Sequence, residues 1–574
     1  MTTGLAGAIS PFTNAWTTWA TAPLFALAFA AGLACLVLHA AAFVRRVPHD
    51  ADARRSLGVG VALFVAALAL RLLWPERVHY TFNDEYEYLD HAQRLLDGGA
   101  YRLWTGPPAG VALDALAFSL FGASSGVAFL LTIVLASLTP PALDAVLRGL
   151  GVDRTVSLVA AALLVVMPLH VKHAASASIE IPSLLLLLLV LATFASLLRA
   201  PAWLGAASFA TCLFLALTVR VENWALVVVL PVVAWLLRGE AQAPRAGHVA
   251  LIVLAAGLAA VYVPGILDAP IRYLPWWKSR FSALELLGVN LGFFVGPDPG
   301  VRKVPILLGV VGLVAGLRRN RAATLALLWM ALVLSVTFVL YGLNLGWVEE
   351  AHQPPPWGAR ADGHDSFRFD LLLLPAVVLL LANGIVALAR AARTLLRGDR
   401  AAARWPRRTR LAVLGVGAAV LVILLAWRGE WHGSDPRAFV ASSYNRRFEI
   451  KELRFLRDAL SAAPHGARLY VLPPTEGVWI DGIAARPIET LPGEAAAAPG
   501  PAYVYVNGRQ LAVPELRRSF EAVSGRVKLR ETMHRVDAGD RFFLMAVEPP
   551  TAPGTGVPAG SPRSAVRSLR PGRA

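Results

Sequence analysis

Long apolar runs recur along most of the chain, from Pro23 to Trp427. Each run is near the roughly 20 residues that a helix needs to cross the hydrocarbon core of a bilayer. Several are shorter and need flanking polar residues or a tilt to span it. The pattern predicts an all-α polytopic membrane protein of about twelve transmembrane helices, near residues 22–44, 57–74, 125–147, 155–169, 180–198, 203–219, 222–237, 248–266, 303–317, 322–343, 369–389 and 411–427.

The last part of the chain has a different pattern. Segment 449–460 spaces its apolar residues as an amphipathic helix does. Short β-prone runs follow at 468–472, 502–506 and 541–547, with Pro- and Gly-rich turns between them. This alternation predicts a small α/β domain outside the membrane.

The patterns divide the chain into parts of different kinds. Residues 1–56 hold an extra N-terminal transmembrane helix and a basic loop. Residues 57–427 form the main transmembrane domain, whose first long loop covers 75–124, and the α/β domain occupies 428–548. Residues 549–574 are Pro, Gly, Ser, Ala and Arg without periodicity, which predicts a disordered tail.

Composition favours a membrane location for most of the chain. Hydrophobic residues make up 56% and charged residues 16%, against about a quarter charged in soluble domains. The formal net charge of +16 comes almost entirely from arginines in short loops and in the tail, so we reject a nucleic-acid partner. Cys35 and Cys212 lie inside apolar runs, which argues against a disulfide framework or a thiolate metal site.

The placement of the arginines predicts the orientation of the helices. They cluster after the first, third, seventh, ninth and eleventh predicted spans, and these loops share one side if the spans alternate. By the positive-inside rule, that side is the cytoplasm. The extracytoplasmic side then carries the longer loops and the C-terminal domain, and we expect the membrane to be a bacterial inner membrane.

The first extracytoplasmic loop begins with an acidic segment that favours a helix. Asn83, or Thr81 with Asp84 three residues on, can cap a helix that runs to about Asp97. Asp84, Tyr88 and His91 then share one face, since they are spaced at i, i+4 and i+7. Carboxylates at this position are either partners of the cap and the helix dipole or groups that take a proton from a substrate.

The rest of this helix carries an ion pair and an apolar side. Asp90 and Arg94 are spaced to form an i, i+4 pair. We expect the apolar side to lie on the membrane, and it consists of Leu89, Ala92, Leu95 and Leu96.

Further charged and polar residues fall at span ends on the same predicted side. Each one alone is explained as an interfacial anchor or a snorkelling arginine. Together, carboxylates and cations on one membrane face suggest a site for an anionic headgroup, because guanidinium and ammonium groups suit phosphate. These residues are Lys172, His173, Glu180, Arg220, Glu222 and Arg368.

Short motifs follow one another in a distinctive order across residues 57–390. They are Asp84-Glu85 with Tyr88 and Ala92, Pro107-Pro108 through Phe121-Gly122, Ser178 to Pro182, Thr218 to Trp224 with Val219 inserted, and Arg368-Phe369 through Pro375. This order resembles that of the GT-C superfamily of membrane glycosyltransferases. The likeness is strongest to the bacterial branch related to protein O-mannosyltransferases and aminoarabinose transferases.

The resemblance implies an inverting transfer of a hexose or pentose from a polyprenyl-phosphate carrier to a lipid, glycan or protein acceptor. It implies that Asp84, with Glu85, is the catalytic base or orients the acceptor. Arg220 or Arg368, with Lys172, would hold the donor phosphate. Some branches use a divalent metal and others do not, so that cofactor stays open. The remaining residues implied in substrate binding are Tyr88, His91, His173, Glu180 and Glu222.

Two other functions remain as alternatives. A transporter or flippase for a lipid-linked or anionic substrate predicts charges near the middle of spans and two related halves. The sequence instead places ionisable residues at span mouths and has no evident halves. A membrane scaffold or sensor leaves the grouping of Asp84, Glu85, Arg220 and Arg368 unexplained.

Overall fold

A computed structural model of the chain describes segments separated by gaps. The predicted span at 411–427 and the predicted tail at 549–574 lie outside these segments. The described residues are 21–46, 48, 50–73, 83–96, 108–174, 177, 179–239, 246–260, 303–341, 371–396, 451–464, 466–472, 479–480, 483–497, 500–537 and 540–548.

The chain divides into two compact units. The first, called the helical unit, comprises Met1–Val78, Gly99–Asp114 and Ala128–Phe448. The second, called the α/β unit, comprises His79–Gly98, Ala115–Val127 and Glu449–Ala574. The α/β unit thus combines the predicted C-terminal domain with two segments that the sequence pattern assigned to the first long loop.

Helices occupy most of the described residues in each predicted span before residue 390. They form because apolar residues that favour helices continue for several turns without a break. A 3₁₀ segment, Val221–Ala225, joins α9 and α10. In chain order the helices are α1 (Thr21–Arg46), α2 (Ala51–Leu72), α3 (Asn83–Leu96), α4 (Pro108–Phe121), α5 (Ser125–Gly149), α6 (Arg154–Val166), α7 (Pro168–Ala174), α8 (Glu180–Arg199), α9 (Trp203–Val219), α10 (Leu226–Leu236), α11 (Ala246–Ala260), α12 (Lys303–Arg319), α13 (Arg321–Tyr341) and α14 (Leu374–Leu396).

Several of these helices are long and apolar enough to cross a membrane. They are Ala51–Leu72, Ser125–Gly149, Glu180–Arg199 and Leu371–Thr394. Other apolar stretches among the described residues, such as Leu27–Ala42 and Arg321–Val336, cover 10–17 residues each. The predicted helical architecture is therefore confirmed, whereas the total of about twelve spans stays a prediction.

Aspartates set the start of two helices in the helical unit. The Asp50 carboxylate accepts hydrogen bonds from the backbone N–H groups of Asp52 at 2.8 Å and Ala53 at 3.1 Å. Asp153 does the same for Thr155 at 2.9 Å. These carboxylates satisfy backbone donors that a first helical turn leaves without partners.

Glycines allow α12 and α14 to pack closely. A Cβ atom at Gly312 would overlap the backbone carbonyl of Leu380, and one at Gly384 would overlap that of Leu308. Small residues at helix interfaces let two backbones approach to this distance. The contact therefore depends on glycine, which has no side chain, at both positions.

The α/β unit contains a six-stranded sheet of order β2-β3-β1-β4-β6-β5. β1 pairs in parallel with β3 and β4, and the other pairs are antiparallel. The described elements after residue 450 are α15 (Lys451–Leu460), β1 (Arg468–Val471), β2 (Trp479–Ile480), β3 (Ile483–Pro487), α16 (Leu491–Ala497), β4 (Ala502–Asn507), α17 (Gly508–Ala512), α18 (Pro514–Ser524), β5 (Leu529–Asp537) and β6 (Asp540–Val547).

This sheet confirms the small α/β fold that the sequence predicts. The runs at 468–472, 502–506 and 541–547 correspond to β1, β4 and β6, and segment 449–460 contains α15. Residues of β1, β4 and β6 form the core of the unit with the helices that follow them, and successive residues of these strands are buried, so that both faces of each strand are covered.

α3 belongs to the α/β unit and contacts β2. Leu89 and Ala92 are fully buried, so the prediction that they face lipid is wrong. Leu95 and Leu96, one turn further on, are about 40% exposed. The error arises because β2 packs on this helix from a distant part of the sequence.

Candidate active site

The acidic pair lies in the first turn of α3. The helix begins at Asn83, as the sequence predicts, so Asp84 and Glu85 stand where negative charge favours the helix dipole. Their side chains lie outside the described part of the structure. Further along α3, Tyr88 is half-buried and His91 is buried.

The predicted ion pair on α3 is present. The Arg94 guanidinium lies 2.6 Å from the Asp90 carboxylate, one helical turn away. Burial raises the pKa of Asp90, and the charge and hydrogen bond of Arg94 act in the opposite direction. This pair fixes one side of the helix that carries Asp84.

Arg220 joins two carboxylates in the interior of the helical unit. Its Nε and Nη2 atoms each donate to Glu222 at 2.9 Å, and its Nη1 atom donates to Glu180. All three side chains are buried, with Arg220 only 7% exposed. The bidentate contact of Arg220 with Glu222 is the geometry in which a planar guanidinium binds a carboxylate best. We call these three residues the Arg220 cluster.

Backbone and amide contacts hold the Arg220 cluster in place. Asn223 donates its amide N–H to Ser183 and to the carbonyl of Ala216, both at 2.9 Å. The Trp224 indole N–H donates to the carbonyl of Leu217 at 3.1 Å. The 3₁₀ segment is thereby tied to α8 and to the last turns of α9, so Glu180 on α8 and Glu222 on this segment meet Arg220 together.

A second buried group contains a cation that the sequence analysis missed. Arg71 lies in the last turn of α2 and is 3% exposed. It donates from Nη1 to the Ala67 carbonyl at 2.8 Å, and its Nη2 atom lies 2.6 Å from Nδ1 of His170 on α7. Nε2 of His170 lies 2.7 Å from the Thr139 hydroxyl of α5. We call these residues the Arg71 chain.

The direction of the hydrogen bonds in the Arg71 chain follows from its donors. A guanidinium only donates, so Nδ1 of His170 accepts and the imidazole proton sits on Nε2. That N–H donates to Thr139, whose hydroxyl donates to the Ala136 carbonyl at 2.7 Å. His170 is therefore a neutral imidazole with one tautomer, and among the described residues no carboxylate forms an ion pair with Arg71.

Both groups lie at the same end of the helical unit, called the Arg71 end. α2 and α9 end here, α8 begins here, and α7 precedes α8. His173, also on α7, is 1% exposed. The side chain of Lys172 and the whole of Arg368 lie outside the described residues.

The opposite end of α2 and α8 carries a different kind of polar contact. Arg148 pairs with Asp144 at 2.9 Å, and Arg390 pairs with Asp153 at 3.0 Å. Both arginine side chains are 36% exposed. This exposure is typical of anchoring arginines, whereas the arginines at the Arg71 end are buried.

The same side chains include carboxylates and imidazoles, which are groups that can bind metal ions. Within the described ranges, no group of three or more His, Cys, Asp or Glu residues is arranged to hold a metal ion. The Arg220 cluster has two carboxylates, but the guanidinium lies between them. Its geometry fits an ion-pair network.

Fold and site together define a helical protein that can cross a membrane, with buried ionic groups at one end and a small α/β unit. No family model and no curated protein sequence matches the chain. Among solved structures, it aligns with ArnT from Cupriavidus metallidurans bound to undecaprenyl phosphate. The identity is 14% and the TM-score 0.44, over 85% of this chain and 97% of that one.

The chain also aligns with the Archaeoglobus fulgidus oligosaccharyltransferase in complex with Zn and sulfate. The identity is 11% and the TM-score 0.45, over 84% of this chain and 72% of that one. These TM-scores describe a distant likeness.

Proposed function

We propose that the chain is a membrane glycosyltransferase that moves a sugar from a polyprenyl-phosphate carrier to a lipid, glycan or protein acceptor. Under this proposal the chain crosses a bacterial inner membrane about twelve times. The Arg71 end then faces the extracytoplasmic side, as does the C-terminal domain.

The observation that carries the proposal is the burial of charged groups at the Arg71 end. Burying an arginine or a carboxylate is costly unless it is paired and hydrogen-bonded. Membrane proteins keep such groups mainly where they handle an ion or a polar substrate. A simple anchor needs neither the Arg71 chain nor the Arg220 cluster, because anchoring arginines reach water.

The two groups differ in charge, and this difference suits group transfer. The Arg220 cluster combines one guanidinium with two carboxylates, so its three side chains together are negative when ionised. The Arg71 chain combines a guanidinium with a neutral imidazole and is positive. A positive region stabilises a departing phosphate, and fixed carboxylates can orient the hydroxyl groups of a sugar or an acceptor.

The proposed step is an inverting displacement. The acceptor oxygen forms a bond to the anomeric carbon while the bond from that carbon to the phosphate oxygen breaks. The electron pair leaves with the polyprenyl phosphate, and the acceptor proton passes to Asp84, with Glu85 beside it. Lys172 and Arg368 hold the phosphate with Arg71. The sugar lies among the remaining proposed binding residues, which are Tyr88, His91, His173, Glu180, Arg220 and Glu222.

Arg220 has a more specific part in this proposal. Each of its three guanidinium nitrogens already donates to Glu180 or Glu222. The two carboxylates already balance the charge of this guanidinium, so a negatively charged phosphate is disfavoured beside it. We therefore propose that Arg220 positions the two carboxylates, and that the donor phosphate depends on the other cations.

The proposal is tested by comparing cells with and without the gene. Mass spectrometry of envelope lipids and glycans should reveal one species that loses a single hexose or pentose mass when the protein is absent. The matching polyprenyl-phosphate sugar should accumulate. The flippase alternative would be favoured instead if, in cells without the gene, the polyprenyl-phosphate sugar accumulated on the cytoplasmic leaflet alone and no glycosylated product disappeared. Chelation of divalent metals during transfer tests the open question of a cofactor.

A further inference from the structure

Trp479 lies at the contact between the C-terminal sheet and the segments of the first predicted outer loop. Its side chain is fully buried although β2 is only two residues long and stands at the edge of the sheet. Its ring stacks on Phe118 of α4, with centroids 5.5 Å apart and an angle of 21° between planes. The edge strand thus contributes a large aromatic anchor.

β2 also contacts α3, the helix that begins with the acidic pair. Leu89 and Ala92 give α3 a fully buried apolar stripe, at the i, i+3 spacing that places side chains on one helical face. A helix of 14 residues has marginal stability in isolation. Packing is therefore what fixes the orientation of α3.

Backbone pairing connects Trp479 to the rest of the sheet. β2 pairs with β3 in an antiparallel register that places Trp479 opposite Ala484, and β3 pairs in parallel with β1. Among the described residues, the Trp479 indole N–H has no hydrogen-bond acceptor. A buried donor without an acceptor is unfavourable, so what Trp479 contributes is its ring and not its polar atom.

We propose that the C-terminal domain positions α3 for sugar transfer, and that Trp479 is a positioning residue that acts through α3 on Asp84. The inference rests on the proposed function, because it assigns a role to the domain within that reaction. A catalytic carboxylate must be held to within a fraction of an ångström of its productive position. The sheet supplies that constraint from outside the helical unit.

The test compares Trp479→Ala with Trp479→Phe in the full-length protein. The alanine variant removes the stacked ring, whereas phenylalanine keeps a smaller aromatic ring that can stack on Phe118 and lacks the unpaired indole N–H. Phe520→Leu is the matched control, since Phe520 is a buried core residue of the same unit outside this contact. It destabilises the domain without altering β2.

Two quantities are measured for each variant. Hydrogen exchange of the α3 backbone amides should become about tenfold faster in Trp479→Ala. The kcat for transfer should fall about tenfold or more, with a much smaller change in the KM of the lipid donor. Trp479→Phe should keep both the exchange rate of α3 and the kcat close to the wild-type values. Phe520→Leu should change neither quantity, although it should lower the unfolding temperature.

Several results would overturn the inference. Unchanged exchange of α3 in a folded Trp479→Ala protein would show that the domain does not hold the helix. Faster exchange with an unchanged kcat would show that holding it does not matter for transfer. Absence of transfer by the wild-type protein would instead remove the proposed function, and the exchange data would still decide whether Trp479 holds α3.

Discussion

At Arg220, the carboxylates of Glu180 and Glu222 occupy every guanidinium nitrogen in a buried setting. A snorkelling arginine would extend towards water and remain exposed, as Arg390 does. The sequence alone favoured an anchoring arginine at each such position, and the burial argues against that interpretation for Arg220. Arg220 organises charge inside the protein instead of anchoring a helix at the membrane surface.

Replacing Arg220 by alanine should destabilise the protein strongly. The change leaves Glu180 and Glu222 buried without their cation, and breaking a buried ion pair in this way costs about 3–5 kcal/mol. Thermal unfolding of the purified protein in detergent should show a much lower midpoint. Combining Arg220→Ala with Glu222→Gln should recover part of the loss, because one stranded charge is removed.

The matched control for this prediction is Arg390→Ala. Arg390 also pairs with an aspartate, but both side chains are more than a third exposed. Exposed pairs contribute about 0–1 kcal/mol, so the unfolding midpoint should hardly move. Equal effects of the two arginine variants would contradict the distinction between the ends of the helical unit.

Sequence reasoning identified Glu180, Arg220 and Glu222 as candidates but could not show that they contact one another. It missed Arg71 and Thr139 because neither lies in a motif. One signal was present, since Arg71 is a charge in the last turn of a predicted span, where an ionisable residue is costly. The bond to His170 depends on how α2 and α7 pack, which no local pattern encodes.

At the scale of elements, the apolar runs predicted helices well and strands unevenly. β1, β4 and β6 were found because their residues are largely buried and β-prone. β5 was missed because it is an edge strand with most residues exposed, including Met533 and Val536, so it lacks a buried face that would alternate with polar positions. β2 is too short to give any pattern.

Contact between α12 and α14 gives a prediction at this scale. Gly312→Ala places a Cβ atom against the Leu380 carbonyl, so the two backbones must move apart. Overpacking of this kind costs about 1–3 kcal/mol. The variant should unfold at a lower temperature in detergent and should express less well.

Gly309→Ala is the control on the same helix. A Cβ atom at Gly309 meets nothing within 4 Å, and alanine favours a helix over glycine by about 1 kcal/mol. This variant should be as stable as the wild-type protein or slightly more stable. If Gly309→Ala proved as damaging as Gly312→Ala, close packing of α12 on α14 would not be the cause.

At the scale of the whole molecule, linear order and compact units do not coincide. Sequence composition separated a transmembrane domain from a C-terminal domain, yet α3 belongs to the same unit as the C-terminal sheet. This grouping could not be predicted, because the contact of α3 with β2 joins segments at opposite ends of the chain. The acidic pair therefore lies on a helix that packs against the C-terminal sheet, and the sequence left the role of that sheet open.

The central claim is that the chain transfers a lipid-linked sugar with Asp84 as an essential group. The most direct measurement is transfer of a labelled sugar in reconstituted vesicles that contain envelope lipids from cells lacking the gene. Asp84→Asn keeps the size of the side chain but removes the proton acceptor, so the rate should fall about 10²–10⁴-fold. Asp153→Asn is the control, since asparagine caps α6 equally well and Asp153 belongs to the helical unit, at the end opposite the Arg71 end.

Labelled product from the wild-type and Asp153→Asn proteins, with almost none from a folded Asp84→Asn protein, is the result that the account predicts. Transfer by Asp84→Asn at the wild-type rate would contradict the catalytic assignment. Vesicles in which the wild-type protein moves the labelled carrier between leaflets without forming any product would contradict sugar transfer itself.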